Sequence, residues 1–310
     1  MSNRASSIAL PEQLEQYSLG AAQSATQPVA DFLAPSVDVS NPHGQFKKYT
    51  EKHRFLVPDT RRAVGGRAVE IGWDAEDQFY NCRPHAIDVP VDLIIEAEAD
   101  PSAFQEAADL AAEVGALSHE QAVIQAAVAA AGAGTGMNVS SATTDVIDTI
   151  DQAILSVLKA AKYGSLMGVG VLFGANAVRA VKNHASVVGR YTGGGGRKGK
   201  GVSPSLDELG DLLIGQPETR GSFMVYDAGD TSDEDIQFLL DDTILIFARH
   251  PNPTRRDPSF MKTFRQRNHW MKPRSYQRDD GRVQVAGFDW SADPQITNSA
   301  AIARINITTS

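Results

Sequence analysis

The sequence has 310 residues, of which 42% are hydrophobic, so it is long enough to fold around a sizeable core. It carries 38 acidic and 29 basic side chains, a formal net charge of -9, which argues against a dedicated nucleic-acid-binding protein. The single cysteine, Cys82, excludes an intramolecular disulfide and is typical of a small buried apolar residue. Residues 1–27 lack the apolar core of a secretory signal, and the longest apolar run, 122–131, is too short to span a bilayer. We therefore expect a soluble protein that is intracellular when synthesised and has no membrane partner.

Residues 1–45 are predicted to form an N-terminal arm of irregular structure. Prolines interrupt this segment and leave room for one short helix between Pro11 and Ser24. The segment has too few apolar residues to build a core of its own. We expect it to be mobile or to lie across a neighbouring subunit.

Residues 46–92 predict a long β-hairpin. Apolar and polar residues alternate over 69–73 and over 87–91, which is the period of a strand with one apolar face. A first extended run over 46–57 is followed by turn residues from Pro58 to Gly66. Because the apolar faces are narrow and the charge is high, we expect the hairpin to project from the body and to need a partner.

The rest of the chain mixes helices and strands. The predicted helices run from the Asp100-Pro101 cap to Gly115, from a capping box of Ser118 and Gln121 to Ala131, onward from Thr144-Asp145, over 175–188, and from Ser203-Pro204 to Leu213. The third of these has an apolar stripe of Val146, Ile147, Ile150, Ile154, Leu155 and Leu158. Strands are predicted over 169–173, 223–226, 243–248 and 283–290, with loops over 132–141 and 193–201. Because helices and strands do not alternate regularly, the predicted fold class is α+β.

Three kinds of segment begin like ligand-binding motifs, and each lacks a residue that the motif needs in order to bind its ligand. The glycine-lysine segment 194–200 begins a phosphate-binding loop, but Gly201 stands where Ser or Thr would bind the metal. His119-Glu120 begins a zinc-protease helix, but Val123 stands where the second histidine belongs. The acidic segments 227–235 and 241–242 lack the sixth-position glycine and the terminal glutamate of a calcium loop. We therefore expect no enzyme activity, no catalytic residue, and no bound cofactor or metal.

The one basic region of the sequence comprises Arg255, Arg256 and residues 262–278, with four aromatic residues interleaved. This composition suits a surface that stacks nucleic-acid bases, and it equally suits a protein interface. Because the chain as a whole is acidic, we favour an interface between subunits, in which this region forms ion pairs with acidic segments such as 227–235.

Five places in the sequence resemble, in order and spacing, the major capsid proteins of tailed bacteriophages that share the Hong Kong 97 (HK97) fold. They are VADFLAP at 29–35 with GQFKKY at 44–49, RAVGG at 62–66, NCRPHAIDVPV at 81–91, VLFGANAV at 171–178 with VKNHA at 181–185, and DTILIF at 242–247 with 251–258 and 283–290. The resemblance runs from about Pro28 to the end of the sequence. None of these segments is a catalytic motif.

The resemblance implies an architecture of four parts. These are an N-terminal arm over 1–45, an extended β-hairpin loop over 46–85, a peripheral domain with a spine helix made of 86–144 and 241–310, and an axial domain over 145–240. Only an arm precedes the body, so a scaffolding function is expected to come from a separate protein. Some members of the family crosslink a lysine of the extended loop to a neighbour. None of Lys47, Lys48 and Lys52 lies at the expected tip, so we expect a non-covalent shell.

The function that the resemblance implies is that of a structural subunit of a viral capsid. Through its arm and extended loop the chain would self-assemble into pentamers and hexamers of an icosahedral shell. The shell would enclose a double-stranded DNA genome without sequence-specific binding. Implied partners are a scaffolding protein, a portal and a decoration protein. The expected location is the virion, after assembly in the host cytoplasm.

Three alternatives stay open from the sequence. A bacterial nanocompartment shell of the encapsulin type would use the same fold to enclose a cargo enzyme. A nucleotide-dependent enzyme would use the glycine-lysine loop, with Lys200 on the phosphates. A nucleic-acid-binding module centred on 262–278 would bind DNA with an affinity that falls as salt rises.

Overall fold

The computed structural model describes residues 28–49, 60, 61, 67, 68, 70, 75–98, 103–161, 168–191, 203–228, 235–250, 252, 254, 257 and 259–309. These residues form seven helices: α1 (Ala30–Leu33), α2 (Leu93–Glu98), α3 (Ala103–Ala131), α4 (Val146–Ala161), α5 (Ala175–Asn183), α6 (Ala185–Tyr191) and α7 (Leu206–Leu212). The first seven of their fourteen strands are β1 (Ser36–Val39), β2 (His43–Tyr49), β3 (Ala75–Asn81), β4 (Arg83–Asp92), β5 (Thr135–Asn138), β6 (Val169–Gly174) and β7 (Glu218–Ser222). The others are β8 (Val225–Asp227), β9 (Ile236–Phe238), β10 (Thr243–Ala248), β11 (Met261–Gln266), β12 (Lys272–Gln277), β13 (Val283–Ile296) and β14 (Ile302–Thr308). The mixture confirms the predicted α+β class.

The first five-stranded sheet is built around β13. On one side β4 pairs with β13 in antiparallel register, and on the other side β12 and β11 pair with successive parts of the same strand. β1 adds to β11 in parallel. The helix α3 packs across β4 and β13 with a face of small residues: Ala107, Ala108, Ala111, Ala112 and Gly115. Small side chains let the helix backbone lie close to the sheet.

The second five-stranded sheet has the order β5-β14-β10-β6-β7. Its central strand β10 is buried at all six positions, as the apolar run over 243–248 predicts. The helix α4 packs on this sheet through Val146, Ile147, Ile150 and Ile154, each at most 1% exposed. The sheet joins strands of the predicted axial segment (β6 and β7) to strands of the predicted peripheral segments (β10 and β14). The assignment of the chain to peripheral and axial domains stays a prediction.

The predicted break at Gly115 is wrong, because α3 runs without interruption from Ala103 to Ala131. Gly115 is buried, and a Cβ at its position would lie 3.4 Å from the ring of Trp290. Position 115 therefore faces the sheet within α3, at ordinary van der Waals distance from Trp290, and does not end the helix. Ser118 consequently lies inside this helix and caps nothing. The Asp100-Pro101 cap lies outside the described residues.

Two helices differ from prediction for reasons of packing. In α4, Leu155 is 49% exposed, so its place in the predicted apolar stripe is wrong, and Val157 is buried in its stead. The predicted helix over 175–188 is two helices, α5 and α6, because the backbone at His184 is extended. The buried His184 ring contacts Ser186 Oγ at 2.8 Å and the Ser141 carbonyl oxygen at 3.1 Å, which fixes the break.

Further corrections concern loops and strand ends. The predicted loop over 132–141 contains β5, a short strand that pairs in parallel with β14. The cap of α7 is Ser205 rather than Ser203, and Ser205 and Glu208 form a complete capping box. The predicted strand over 223–226 is replaced by β7 and β8 on either side of residues 223–224, and β13 is confirmed but extends to Ile296. The loop over 193–201 lies outside the described residues.

The base of the predicted hairpin is confirmed. β2 and β3 form an antiparallel two-stranded sheet in which His43 pairs with Asn81 and Tyr49 with Ala75. The predicted turn residues from Pro58 to Gly66 lie almost wholly outside the described residues, as does the alternating segment 69–73 except for position 70. The alternation over 87–91 belongs to β4 of the first large sheet.

The predicted arm is wrong over residues 28–39, which belong to the body; residues 1–27 lie outside the described residues. Phe32 is 1% exposed, and its ring lies edge-on to Phe247 with centroids 5.3 Å apart. The guanidinium groups of Arg220 and Arg249 lie 4.9 and 4.8 Å from the Phe32 ring centroid, and both form ion pairs with Glu218. A few apolar side chains are enough to order this segment, because residues of the body provide the side chains that they pack against.

A buried carboxyl group holds the start of α1 against α3. The backbone N–H of Ala30 donates to Glu120 Oε1 at 2.9 Å, and Glu120 is 2% exposed. Burial disfavours the charged form and raises the pKa of Glu120 to about 7. The bond joins residues 90 positions apart in the sequence and fixes the segment that leads into β1.

A second buried charge ties the β10–β11 connection to the first sheet. Lys262 in β11 is 0% exposed, and its Nζ lies 2.8 Å from Asp257 Oδ1. The same ammonium group donates to the carbonyl oxygens of Thr254 and Asp257, each at 2.5 Å. Lys262 was expected to contribute to a basic surface, and the structure places it inside the protein instead.

We expect Lys262→Met to lower the free energy of unfolding by about 3–5 kcal/mol, because it leaves the Asp257 carboxylate buried without its counter-charge. Urea denaturation followed by circular dichroism measures the change. Lys159→Met, at an exposed position of α4, is the control and should change stability by less than about 0.5 kcal/mol. Equal losses in the two variants would contradict the importance of the buried pair.

The Glu120 carboxyl should make stability depend on pH. A carboxyl whose pKa is raised by folding stabilises the folded state fully below its unfolded pKa, here 4.5, and that contribution is lost as pH rises through the folded value of about 7. We expect Glu120→Gln to remove roughly 3 kcal/mol of the decline in unfolding free energy between about pH 5 and about pH 8. Denaturation midpoints at the two pH values test this, with the exposed Glu113→Gln in the same helix as control. An unchanged decline in Glu120→Gln would refute it.

Candidate assembly surfaces

The hairpin of β2 and β3 is anchored to the body by an aromatic cluster. The rings of Phe46 and Tyr80 lie on Phe264 of β11, with centroid distances of 5.1 and 4.6 Å. Gly44 lies under Tyr80, and a Cβ there would come within 2.4 Å of the tyrosine oxygen, so the close approach requires glycine. Cys82 completes the cluster at 3% exposure. The base of the hairpin is therefore rigidly oriented.

The opposite face of the same hairpin is open. Phe79, next to the buried Tyr80, points to the other side of the two-stranded sheet and is 68% exposed. The backbone N–H of Asn81 donates to Asp293 Oδ2 at 2.7 Å and holds this end of β3 against β13. A phenylalanine held out of the core on an anchored strand is available to another surface.

A second exposed apolar face lies on the small sheet of β8 and β9. Val225 pairs with Phe238, and Asp227 pairs with Ile236, so these side chains share one face. Val225, Ile236 and Phe238 are between 41% and 59% exposed. A two-stranded sheet with an open apolar face is marginal alone and gains stability when that face is covered.

The third exposed apolar surface is the helix α2, at the end of β4. Leu93, Ile94 and Ile95 are 37%, 70% and 58% exposed. Polar groups hold the helix in this position: Asp92 Oδ1 accepts from the Ile94 N–H at 2.9 Å, and Glu96 Oε2 accepts from the Phe104 N–H at 2.8 Å. Adjacent exposed isoleucines that are fixed by hydrogen bonds mark an interaction surface.

The basic segment 262–278 divides into charges used within the chain and charges that face outward. Lys262 is buried, as described above. Arg265 pairs with Asp38, and Arg274 pairs with Asp88 and Asp289. Arg267 and Lys272 have no ion pair within the described part of the chain and line a cleft. The acidic segment 227–235 was predicted to pair with this region between subunits, and its residues 229–234 lie outside the described residues.

The segments that begin like catalytic motifs have structural roles where the structure describes them. His119 contacts the Trp270 ring edge-on at 5.0 Å, and its pKa is lowered to about 4 by burial. Asp241 accepts hydrogen bonds from the backbone and side chain of Asn176 at the start of α5. Burial raises the pKa of the Cys82 thiol to about 11, which keeps it protonated. The glycine-lysine segment 194–200 lies outside the described residues.

Two further features of the described residues bear on the class of site. Within the described ranges, His, Cys, Asp and Glu side chains form no group of three or more that could hold a metal ion. None of the helices in the described part of the chain is long and apolar enough to cross a membrane. What the described surface does offer includes the three exposed apolar faces described above and a basic cleft. The sequence analysis identified the hairpin and the basic segment as candidate surfaces. It did not identify α2 or the face of β8 and β9, because no pattern in the sequence indicates that their apolar side chains are exposed.

Comparison with known proteins finds similarity at the level of structure. No family model and no curated protein matches the sequence. A phage-related protein from Bordetella bronchiseptica superimposes with a TM-score of 0.66 at 17% identity, covering 94% of this chain and 96% of that one. The subunit of the mature capsid of bacteriophage PhiM1 gives a TM-score of 0.58 at 11% identity, covering 92% and 88%.

An encapsulin from Synechococcus elongatus is also similar, with a TM-score of 0.55 at 12% identity, covering 92% of this chain and 88% of that one. In each case nearly the whole of both chains is matched, so the likeness concerns the complete architecture. The chain therefore has the Hong Kong 97-like fold of phage capsid proteins, as its sequence predicts.

Proposed function

We propose that this chain is the major structural subunit of a tailed-phage capsid. It assembles with copies of itself into pentamers and hexamers of an icosahedral shell that encloses double-stranded DNA. The observation that carries the proposal is the match of the fold over more than nine tenths of the chain to a phage-related protein and to a mature phage capsid subunit. The exposed apolar surfaces support it, because contiguous exposed apolar surface marks a site of contact with another molecule.

The proposed mechanism is physical rather than chemical. Each subunit places its apolar faces against neighbours, and many modest contacts repeated around closed rings give a stable shell. The acidic balance of the chain suits an inner surface that does not trap the packaged nucleic acid. A scaffolding protein and a portal are the proposed further partners, and the virion is the proposed location.

A nanocompartment shell is the second candidate, and the similarity to the Synechococcus elongatus encapsulin favours it. The two functions differ in what the shell encloses and in the neighbouring genes. Portal and terminase genes beside this one would support the capsid, and a gene for a cargo enzyme would support the nanocompartment.

Expression of the chain, alone and together with its neighbouring genes, tests the proposal. We expect closed shells, or rings the size of pentamers and hexamers, in sedimentation velocity and negative-stain electron microscopy. The physical reason is that the open apolar faces are covered only when subunits meet. A small monodisperse oligomer under every condition would refute the shell function.

The exposed ring of Phe79 gives a sharper test of the hairpin surface. Phe79→Asp should leave the unfolding midpoint of the subunit nearly unchanged, because the side chain is 68% exposed. It should raise the subunit concentration needed for assembly at least about tenfold, because a charge replaces buried apolar area at the contact. Gln78→Asp, on the opposite face of β3, is the matched control. Equal assembly by both variants would exclude Phe79 from the contact.

A further inference from the structure

A basic cleft lies where the turn between β11 and β12 passes the edge strand β1. It has a volume of about 500 Å³. Its lining consists of Asp38, Arg265, Gln266, Arg267, Asn268, Trp270 and Lys272. Three of these residues are cationic and one is anionic, so the cleft has a positive charge on a chain whose formal net charge is -9.

The turn that forms the cleft is held in one conformation. Asn268 and Met271 both have positive φ, 66° and 43°, and this conformation is costly for methionine. Met271 packs on the apolar cluster between α3 and the first sheet, which holds it in place. The N–H of Arg267 donates to the Val39 carbonyl at 2.9 Å, and the N–H of Ser291 donates to the His269 carbonyl at 2.8 Å. Both ends of the turn are thereby fixed to neighbouring strands.

The cations of the cleft are not equivalent. Arg265 Nε lies 2.5 Å from Asp38 Oδ1, and its guanidinium lies 5.6 Å from the centroid of the Trp270 ring. The charge of Arg265 is therefore neutralised by Asp38, and its guanidinium packs on the Trp270 ring. Arg267 and Lys272 are exposed, and within the described ranges neither has an ion pair. Within the described residues the cleft thus offers two unpaired cations beside a partly buried indole, and of these residue types Trp and Arg are enriched at the energetic centre of protein interfaces.

We propose that this cleft binds carboxylate side chains of a second copy of this chain. The inference rests on the proposed self-assembly and names one of its contacts. The chain has 38 acidic and 29 basic side chains, so each copy presents carboxylates in excess. A neighbour's carboxylate pair accepts from Arg267 and Lys272, and the apolar part of the same segment covers Trp270.

Two observations favour a polypeptide over nucleic acid as the occupant. A volume of about 500 Å³ takes a few side chains, but not a stretch of duplex. Two free cations are also few compared with the many phosphate contacts that non-specific nucleic-acid binding uses.

Carbodiimide crosslinking of assembled protein tests the contact directly, because the reagent joins an amine to a carboxylate that it touches. Assemblies are formed from an equal mixture of unlabelled and isotope-labelled chains, crosslinked, digested and analysed by mass spectrometry. We expect a crosslink from Lys272 to an Asp or Glu in peptides of mixed label, which marks it as intermolecular. The exposed Lys159 of α4 is the internal control and should show no comparable mixed-label product.

The outcomes separate this inference from the proposed function. Closed shells without a mixed-label crosslink at Lys272 overturn the cleft contact alone. A small oligomer with that crosslink refutes the shell function and supports the cleft contact. A chain that stays monomeric in every condition overturns both.

Charge reversal provides the second test. Arg267→Glu with Lys272→Glu should raise the concentration needed for assembly at least about tenfold at low salt, and rising salt should weaken wild-type assembly. Lys159→Glu is the control of equal charge type, and Arg267→Gln with Lys272→Gln replaces the first pair if it fails to fold. Unimpaired assembly by the reversed or neutral pair overturns the proposal. Salt-sensitive binding of a short DNA oligonucleotide by wild-type subunit, lost in the same variants, overturns it in favour of nucleic acid.

Discussion

The close contact between α3 and β13 is the constraint on which the rest of the structure depends. Alanines and Gly115 face the sheet, and the helix backbone lies near enough that a Cβ at Gly115 would be 3.4 Å from the Trp290 ring. β13 then carries β4 on one side and β12 and β11 on the other. The strand before the hairpin, β1, is tied to β11, and the strand after it is β4. Both roots of the hairpin are therefore fixed by the sheet that α3 supports.

Buried ionisable groups fix the two places where long-range connections meet this framework. Glu120 on α3 holds the start of α1, and Lys262 on β11 holds the connection from β10. A buried ionisable group is costly unless it is hydrogen-bonded or paired, so each of these groups restricts its neighbour to the arrangement that satisfies it. At α1 the hydrogen bond to Glu120 acts together with the burial of apolar side chains such as Phe32 and Leu33.

Much of the exposed apolar surface lies on short elements outside the two largest apolar cores. The two five-stranded sheets and α4 bury most of their apolar residues within the chain. The open apolar side chains of β3, α2 and the small sheet of β8 and β9 lie on short elements outside those cores. Such elements cannot enclose their own apolar faces, because two strands or two helical turns have no second layer. The proposed shell function would use this division, since neighbouring subunits would provide the missing layer.

The sequence by itself determined the α+β class, the buried strands over 169–173 and 243–248, the helix α4, the base of the hairpin and the resemblance to capsid proteins. These features depend on local periodicity and on the order of segments, which the sequence shows directly. Only the tertiary structure decided that α3 passes through Gly115, that residues 28–39 belong to the body, and that Lys262 is buried while Arg267 and Lys272 are exposed. In each case the deciding contact joins residues far apart in the sequence: Gly115 with Trp290, Ala30 with Glu120, and the β11–β12 turn with β1. Local propensity identifies a glycine, a short apolar run or a lysine, but the neighbour that determines its role is brought near only by folding.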